Sequence, residues 1–310
     1  MHTYNLNLQI PPNTIGLEHN DAIVFAGSCF AENISHKLEK LLFNCIKNPN
    51  GIVFNPISLA VPFKKLIENK NYTENDLILQ NNTWVSLHHH GKIYHPEKLA
   101  LLSLINQKQD LFKQEILAAQ WLFISFGSAW VYTLKNSNTI VANCHKIPQQ
   151  QFEKRLLTIE EIIATWQPIL QQIKQLNSAI NIVFTVSPVK HLRDGVHENN
   201  LSKATLLLAV NELTKLNATY FPAYELVNDD LRDYRFYETD TAHPNTMAID
   251  YIFEKFKTTF MQSNTLQIVS EIEKLNTMQQ HKPVGTNARE IKLFEEAKEK
   301  QKERVKNLNI

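Results

Sequence analysis

The chain has 310 residues, of which 43% are hydrophobic and 20% charged, so it can build a large core and is neither disordered nor fibrous. Its 32 basic and 31 acidic side chains give a net charge of +1, which excludes a global positive field that would attract nucleic acid. The N-terminus lacks the layout of a signal peptide, and no apolar run approaches the ~18 residues of a membrane span. We therefore expect a cytoplasmic protein with a small or locally recognised partner.

Short apolar runs alternate with amphipathic helical patterns along most of the chain. The first run, Ala22–Ala26, stops at Gly27, and from Phe30 onward the apolar residues recur with helical spacing. Further strands are predicted at 45–46, 121–126 and 181–186, and helices at 57–67, 97–118, 159–176 and 201–216. Strands that alternate with helices of this length predict an α/β fold, with a mostly parallel sheet covered on both faces.

Two regions and the C-terminus break this alternation. Segments 84–88 and 92–95, and segments 130–133 and 139–142, flank turn-forming residues and predict two inserted hairpins. Residues 288–307 alternate in charge around a sparse apolar seam, which predicts a solvated terminal helix. We therefore divide the chain into a main domain, 1–262, and a helical C-terminal extension, 263–310.

Ser28 lies at the carboxyl end of the first predicted strand, immediately before a helix. Open α/β sheets bind ligands at this edge, and the N–H groups that begin the helix would stabilise an oxyanion. Ser28 is thus a candidate nucleophile, but it needs a histidine base, and its ordinary role here would be that of an N-cap. Cys29 is a rival nucleophile, or else a small side chain packed behind the strand.

The segment Asp240-Thr241-Ala242-His243-Pro244 supplies a candidate base. Pro244 suits the first position of a helix, so His243 is predicted at the mouth of that helix. A carboxylate three residues upstream can accept the Nδ1–H of the imidazole and leave Nε2 free to take the proton of Ser28. The alternative is that Asp240 only closes a turn ahead of the helix.

The Gly27-Ser28 and Asp-x-x-His-Pro motifs together resemble the outer motifs of the GDSL/SGNH hydrolases. Residues 27–31 spell Gly-Ser-Cys-Phe-Ala, the motif of the GSCFA domain family, and further stretches resemble the same family at 48–51, 126–132, 143–146, 185–189 and 232–237. The resemblance implies a flavodoxin-like, three-layer α/β/α fold of the SGNH hydrolase type. It also implies a triad of Ser28, His243 and Asp240, which requires no cofactor and no metal.

The resemblance leaves the oxyanion hole incomplete. SGNH enzymes usually supply a glycine and an asparagine as donors; Gly51 can fill the first position, but Gly127-Ser128 stands where the asparagine is expected. The substitutes we consider are the side chains of Asn55 and Asn143 and the backbone N–H of Ser128. Without such a donor, turnover would fall by ~10²–10³.

Other histidines carry weaker hypotheses. On a strand, His88 and His90 would share a face and His95 could lie opposite, but no acidic or cysteine ligand accompanies these residues or His89. A polar rim or a substrate-facing surface is therefore favoured over a zinc site. His191 and Arg193 follow a buried strand at the edge where Ser28 is expected, and they could bind a polar or anionic substrate group or belong to a solvated loop.

The sequence thus predicts a serine esterase or acyl hydrolase acting on a small-molecule or glycan ester. Two alternatives stay open: an acyltransferase on the same fold, and a ligand-binding module with a vestigial triad. Neither the acyl group, the alcohol nor the oligomeric state follows from the sequence.

Overall fold

A five-stranded parallel sheet forms the centre of the computed structural model, which describes residues 6–281, 288–308 and 310. In spatial order its strands are β11 (Ala218–Tyr220), β10 (Asn181–Val186), β6 (Trp121–Phe126), β1 (Ile23–Gly27) and β2 (Cys45–Lys47). The two central strands, β1 and β6, are buried along their whole length. This explains why both appear in the sequence as continuous apolar runs rather than as alternating patterns.

Helices cover both faces of the sheet, so the predicted three-layer α/β/α arrangement is confirmed. One face packs against α2 (Pro56–Ile67), α3 (Lys98–Ala118), α4 (Ile159–Leu176) and α5 (Val196–Thr214). The other packs against α1 (Cys29–Lys40), the short α6 (Ala223–Glu225), α7 (Thr246–Phe260) and α8 (Ser263–Gln280). The last helix, α9 (Ala288–Lys306), packs on α8, where Gln301 donates to the carbonyl of Glu271. None of the helices in the described ranges is long and apolar enough to cross a membrane.

Both inserted hairpins form, and each gains a strand. The first is β3 (Leu77–Gln80), β4 (Thr83–Ser86) and β5 (Tyr94–His95); the second is β7 (Trp130–Leu134), β8 (Thr139–Ile140) and β9 (Phe152–Leu156). The strand β4 ends at Ser86, so His88 and His90 lie in a turn and do not share a strand face as predicted. The backbone instead turns at this point, where the N–H of His89 donates to the carbonyl of Ser86 at 3.1 Å.

Two helices begin at other residues than predicted. The helix after the Asp-x-x-His motif starts at Thr246 rather than Pro244, because Asn245 is its N-cap and accepts the N–H of Ala248 at 3.2 Å. The helix expected from Leu201 starts earlier, at Val196, directly after Gly195. The segment after β10 is therefore α-helical from Val196 onward, while His191 and Arg193 lie before that helix.

The matched pair Leu206 and Leu208 on α5 tests the assignment of the core. Leu206 is fully buried between α5 and the sheet, whereas Leu208 is 55% exposed. We expect Leu206→Ala to lower the free energy of unfolding by about 2–5 kcal/mol, because it leaves a cavity in a close-packed layer. Leu208→Ala should change it by less than ~0.5 kcal/mol. Urea denaturation of both variants measures this, and equal losses would contradict the assignment.

Candidate active site

Ser28 lies at the junction of β1 and α1 and is only 2% exposed. Gly27 before it has a φ of 129°, and a Cβ there would lie 2.1 Å from the carbonyl oxygen of Ser125, so only glycine fits. The Oγ of Ser28 accepts the N–H of Phe30 at 3.3 Å and shares a hydrogen bond of 2.8 Å with the Oγ of Ser125. Ser28 is therefore the N-cap of α1, and its hydroxyl pairs with β6 rather than with a histidine.

Asp240 and His243 form a closely bonded pair in the turn before α7. The Oδ2 of Asp240 lies 2.6 Å from the Nδ1 of His243, while its Oδ1 accepts the N–H groups of Ala242 and His243 at 2.9 and 3.0 Å. The same carboxylate thus closes the turn and orients the imidazole, the two roles that the sequence left as alternatives. The N–H groups of His243 and Ala242 and the imidazole lower the pKa of Asp240 to about 2.

His191 connects the serine to this turn. Its Nε2 and the Cβ of Ser28 lie 3.4 and 3.5 Å from the point that a Cβ on Gly127 would occupy, so the two side chains border the same space. The next residue upstream, Lys190, donates its N–H to the carbonyl of Ala242 at 3.0 Å, which fastens the His191 loop to the Asp240–His243 turn. Burial lowers the pKa of His191 to about 3, helped by Lys203 and His243, so its imidazole is neutral.

A buried lysine that the sequence analysis missed holds this edge together. Lys203 on α5 is 1% exposed, and its ammonium donates at 2.7 Å to the carbonyl oxygens of both Gly127 and Ser187. It thereby joins the segments that follow β6 and β10. Burial lowers its pKa to about 7. The available signal was its position in the apolar stripe of α5 with Leu206, Val210 and Leu213.

The donors proposed for the oxyanion hole are engaged elsewhere. The N–H of Gly51 donates to Asn48 at 2.8 Å, and that of Ser128 donates to Phe54 at 3.2 Å. The Nδ2 of Asn55 donates to the Oγ of Ser58 at 3.0 Å and to the carbonyl of Val141 at 3.4 Å, while its Oδ1 caps α2. Each of these groups would have to give up an existing bond to contact a substrate.

The two remaining polar candidates also have other partners. Asn143 lies in the second hairpin, where its Oδ1 accepts the N–H of His145 at 2.8 Å, a bond that does not engage its Nδ2 donor. Arg193 donates to the side chain of Gln149 at 3.2 Å on the surface. Gly127 itself contributes space rather than a donor, since its N–H binds the carbonyl of Phe54 and an added Cβ would lie 2.8 Å from the Cβ of Phe54.

Of the four histidines at 88–90 and 95, only His89 belongs to the interior, and the other three are partly exposed. His89 is fully buried, its Nδ1 lies 2.9 Å from the Oγ of Ser86, and burial lowers its pKa to about 3. His88 lies 3.7 Å from the carboxylate of Asp76. Among the described residues, no group of three or more His, Cys, Asp or Glu side chains could hold a metal ion.

The fold and these contacts define a three-layer α/β/α protein whose polar centre lies at the carboxyl edge of a parallel sheet. The chain belongs to the GSCFA family, whose model matches residues 22–256. No curated protein matches the chain with significance.

The neutral state of His191 makes a prediction about acid stability. Below pH 6.5 the unfolded chain takes up a proton at this imidazole, whereas the folded protein does so only near pH 3, so stability is lost as the pH falls. Between pH 6 and pH 4 the free energy of unfolding should fall by about 1.4 kcal/mol per pH unit more steeply in the wild type than in His191→Gln. Urea titrations at several pH values measure this, and parallel curves for the two proteins would contradict it.

Proposed function

We propose that this protein is a serine esterase or acyl hydrolase of the SGNH type. The observation that carries the proposal is the bond of 2.6 Å between Asp240 and His243, which holds Nδ1 and leaves Nε2 available as a base. A second support is the position of Ser28 between a parallel strand and a helix N-terminus, where the helix dipole favours negative charge.

In this proposal the Oγ of Ser28 attacks the acyl carbon of an ester while His243 takes the serine proton. The protonated imidazole then gives that proton to the departing alcohol oxygen, leaving an acyl-enzyme. Water, deprotonated by His243, attacks the acyl carbon in turn. The bond from that carbon to the Oγ of Ser28 then breaks, and the protonated His243 returns the proton to Oγ, which releases the acid and the free serine. Asp240 stays ionised throughout, because its low pKa keeps it a hydrogen-bond acceptor for the imidazolium.

We assign the oxyanion contacts to groups that border Ser28. The N–H of Cys29 is the first of α1 and adjoins the serine in the chain. The imidazole of His191 borders the same space as Ser28, and as a neutral ring with a proton on Nε2 it can donate one hydrogen bond. This pair would take the place of the glycine and asparagine donors of SGNH enzymes.

Ser28 is favoured over Cys29 as the nucleophile. Burial raises the pKa of the Cys29 thiol, which disfavours the thiolate that a cysteine nucleophile needs. A serine needs no such ionisation before it meets its base.

One observation favours a second candidate, a ligand-binding module with a vestigial triad. The hydroxyl of Ser28 is hydrogen-bonded to Ser125 and to the N–H of Phe30, not to His243. A hydrolase therefore requires Ser28 to rotate away from Ser125 when substrate binds. An acyltransferase would use the same acyl-enzyme and deliver it to an alcohol in place of water.

Labelling by a fluorophosphonate, which reacts with an activated active-site nucleophile and with serine in preference to other side chains, separates the hydrolase from the binding module. We expect the wild type and Cys29→Ala to form the adduct at Ser28, and Ser28→Ala to form none. Mass spectrometry of the labelled peptide identifies the residue. An unlabelled wild type would favour the binding module, and an adduct on Cys29 would make the enzyme a thiol hydrolase.

Asp240→Asn tests the role of the carboxylate. We expect kcat for p-nitrophenyl acetate to fall on the order of 10³–10⁴-fold with little change in KM, because the amide no longer stabilises the imidazolium. Asp250→Asn is the matched control, since Asp250 is an exposed aspartate on α7 that pairs with Lys37. Equal activity of the two variants would remove Asp240 from the mechanism.

A further inference from the structure

The segment that leads to the Asp240–His243 turn contains two unusual backbone conformations, followed by a 3₁₀ turn. A π-helix spans Leu226–Leu231, Arg232 after it adopts the left-handed conformation with a φ of 42°, and a 3₁₀ turn follows at Tyr234–Phe236. Both π-helices and left-handed non-glycine residues are costly and occur often at functional sites. This segment therefore has a conformation that its own helix propensity does not explain.

The segment forms one wall of a cavity of about 400 Å³, which lies within the size range of small-ligand sites. Lys190, on the segment that follows β10, also lines the cavity. The cavity is fastened to the Asp240–His243 turn at two points, because the N–H of Lys190 donates to Ala242 and Tyr237 pairs with Pro244 in an antiparallel bridge. A group held in this cavity would therefore lie next to segments that are bonded to the Asp240–His243 turn.

The charges that line the cavity cancel, and two polar groups are left available. Lys190 lies over the rings of Tyr237 and Tyr234, 3.9 and 4.3 Å from their centroids, and Asp233 is paired with Arg235 at 2.9 Å. The guanidinium of Arg232 has no side-chain partner in the part of the chain that the structure describes.

The second available group is the carboxylate of Asp229, which is exposed and receives only a long bond of 3.4 Å from Asn228. The guanidinium of Arg232, a donor, and the carboxylate of Asp229, an acceptor, thus both line the cavity. Beside them Tyr234 is 65% exposed, so its flat ring stays accessible although the ammonium of Lys190 lies over one face.

We propose that this cavity is a saccharide subsite that binds the alcohol part of the ester, an inference that rests on the hydrolase function proposed above. A sugar ring carries hydroxyls that both donate and accept, which matches Asp229 and Arg232, and an apolar face that can stack on Tyr234. The balanced charge gives an anionic ligand little advantage over a neutral one. The substrate class is thus a glycan ester, with the sugar in the cavity and the acyl group at Ser28.

Binding without turnover tests this subsite. Saturation-transfer NMR on the full-length Ser28→Ala protein, with millimolar methyl glycosides of glucose, galactose and N-acetylglucosamine, should show transfer to at least one glycoside. Tyr234→Ala, added to that protein, should weaken binding about tenfold, and Tyr234→Phe should retain it because the stacking ring is kept. Arg232→Gln should weaken it as well. Tyr94→Ala is the matched control, a tyrosine on β5 in the first hairpin that is 55% exposed.

The outcomes separate this inference from the hydrolase proposal. No transfer to any of the glycosides, or transfer that Tyr234→Ala leaves undiminished, would overturn the saccharide subsite. Because the assay uses a protein without Ser28, it succeeds or fails independently of catalysis. Fluorophosphonate labelling of Ser28 in a wild type that binds no glycoside would refute the subsite alone.

Discussion

At the carboxyl edge of the parallel sheet, the structure is stable only because buried backbone groups, which water cannot reach, have other hydrogen-bond partners. Where the strands end, each buried N–H and C=O that loses its neighbour in the ladder costs free energy unless another group replaces it. Here the replacements are side chains and loop carbonyls. Asn48 accepts the N–H of Gly27 at 2.8 Å, and Lys203 donates to the carbonyls of Gly127 and Ser187. The loops at this edge are positioned by these bonds.

Because buried backbone groups must be paired, only some polar groups at this edge remain available to bind a ligand. A donor in a plausible motif position is not available when it already binds another group: the N–H of Ser128 donates to Phe54, and the Nδ2 of Asn55 donates to Ser58 and Val141. In the described structure the ring nitrogens of His191 have no hydrogen-bond partner, and its backbone N–H is satisfied by Asn199 at 2.9 Å. His191 is therefore held in place through its backbone while its imidazole stays free, which is the combination that an oxyanion donor needs.

Local patterns predicted the parts of the fold that depend on local sequence. The strands β1, β6 and β10 and the helix α4 were predictable because their burial repeats over six or more residues or forms an unbroken run. The strand β11 has only three residues and no such pattern. The role of Lys203 could not be predicted, since its partners, Gly127 and Ser187, come from two other segments of the chain and meet only in the folded protein.

In the proposed hydrolase the catalytic groups are a buried Ser28 and an exposed His243, and approximate energies show how much the rotation of Ser28 would cost. To attack a substrate, Ser28 must give up its bond to Ser125 and its cap on Phe30, each of which is worth only about 1 kcal/mol. Orientation of the reacting groups and stabilisation of the oxyanion contribute several kcal/mol each in enzymes of this kind. In the proposed hydrolase, the rotation of Ser28 therefore costs little compared with the free energy that orientation and oxyanion stabilisation contribute. The bonds of Lys190 to Ala242 and of Asp240 to His243 hold the base in place before any substrate binds.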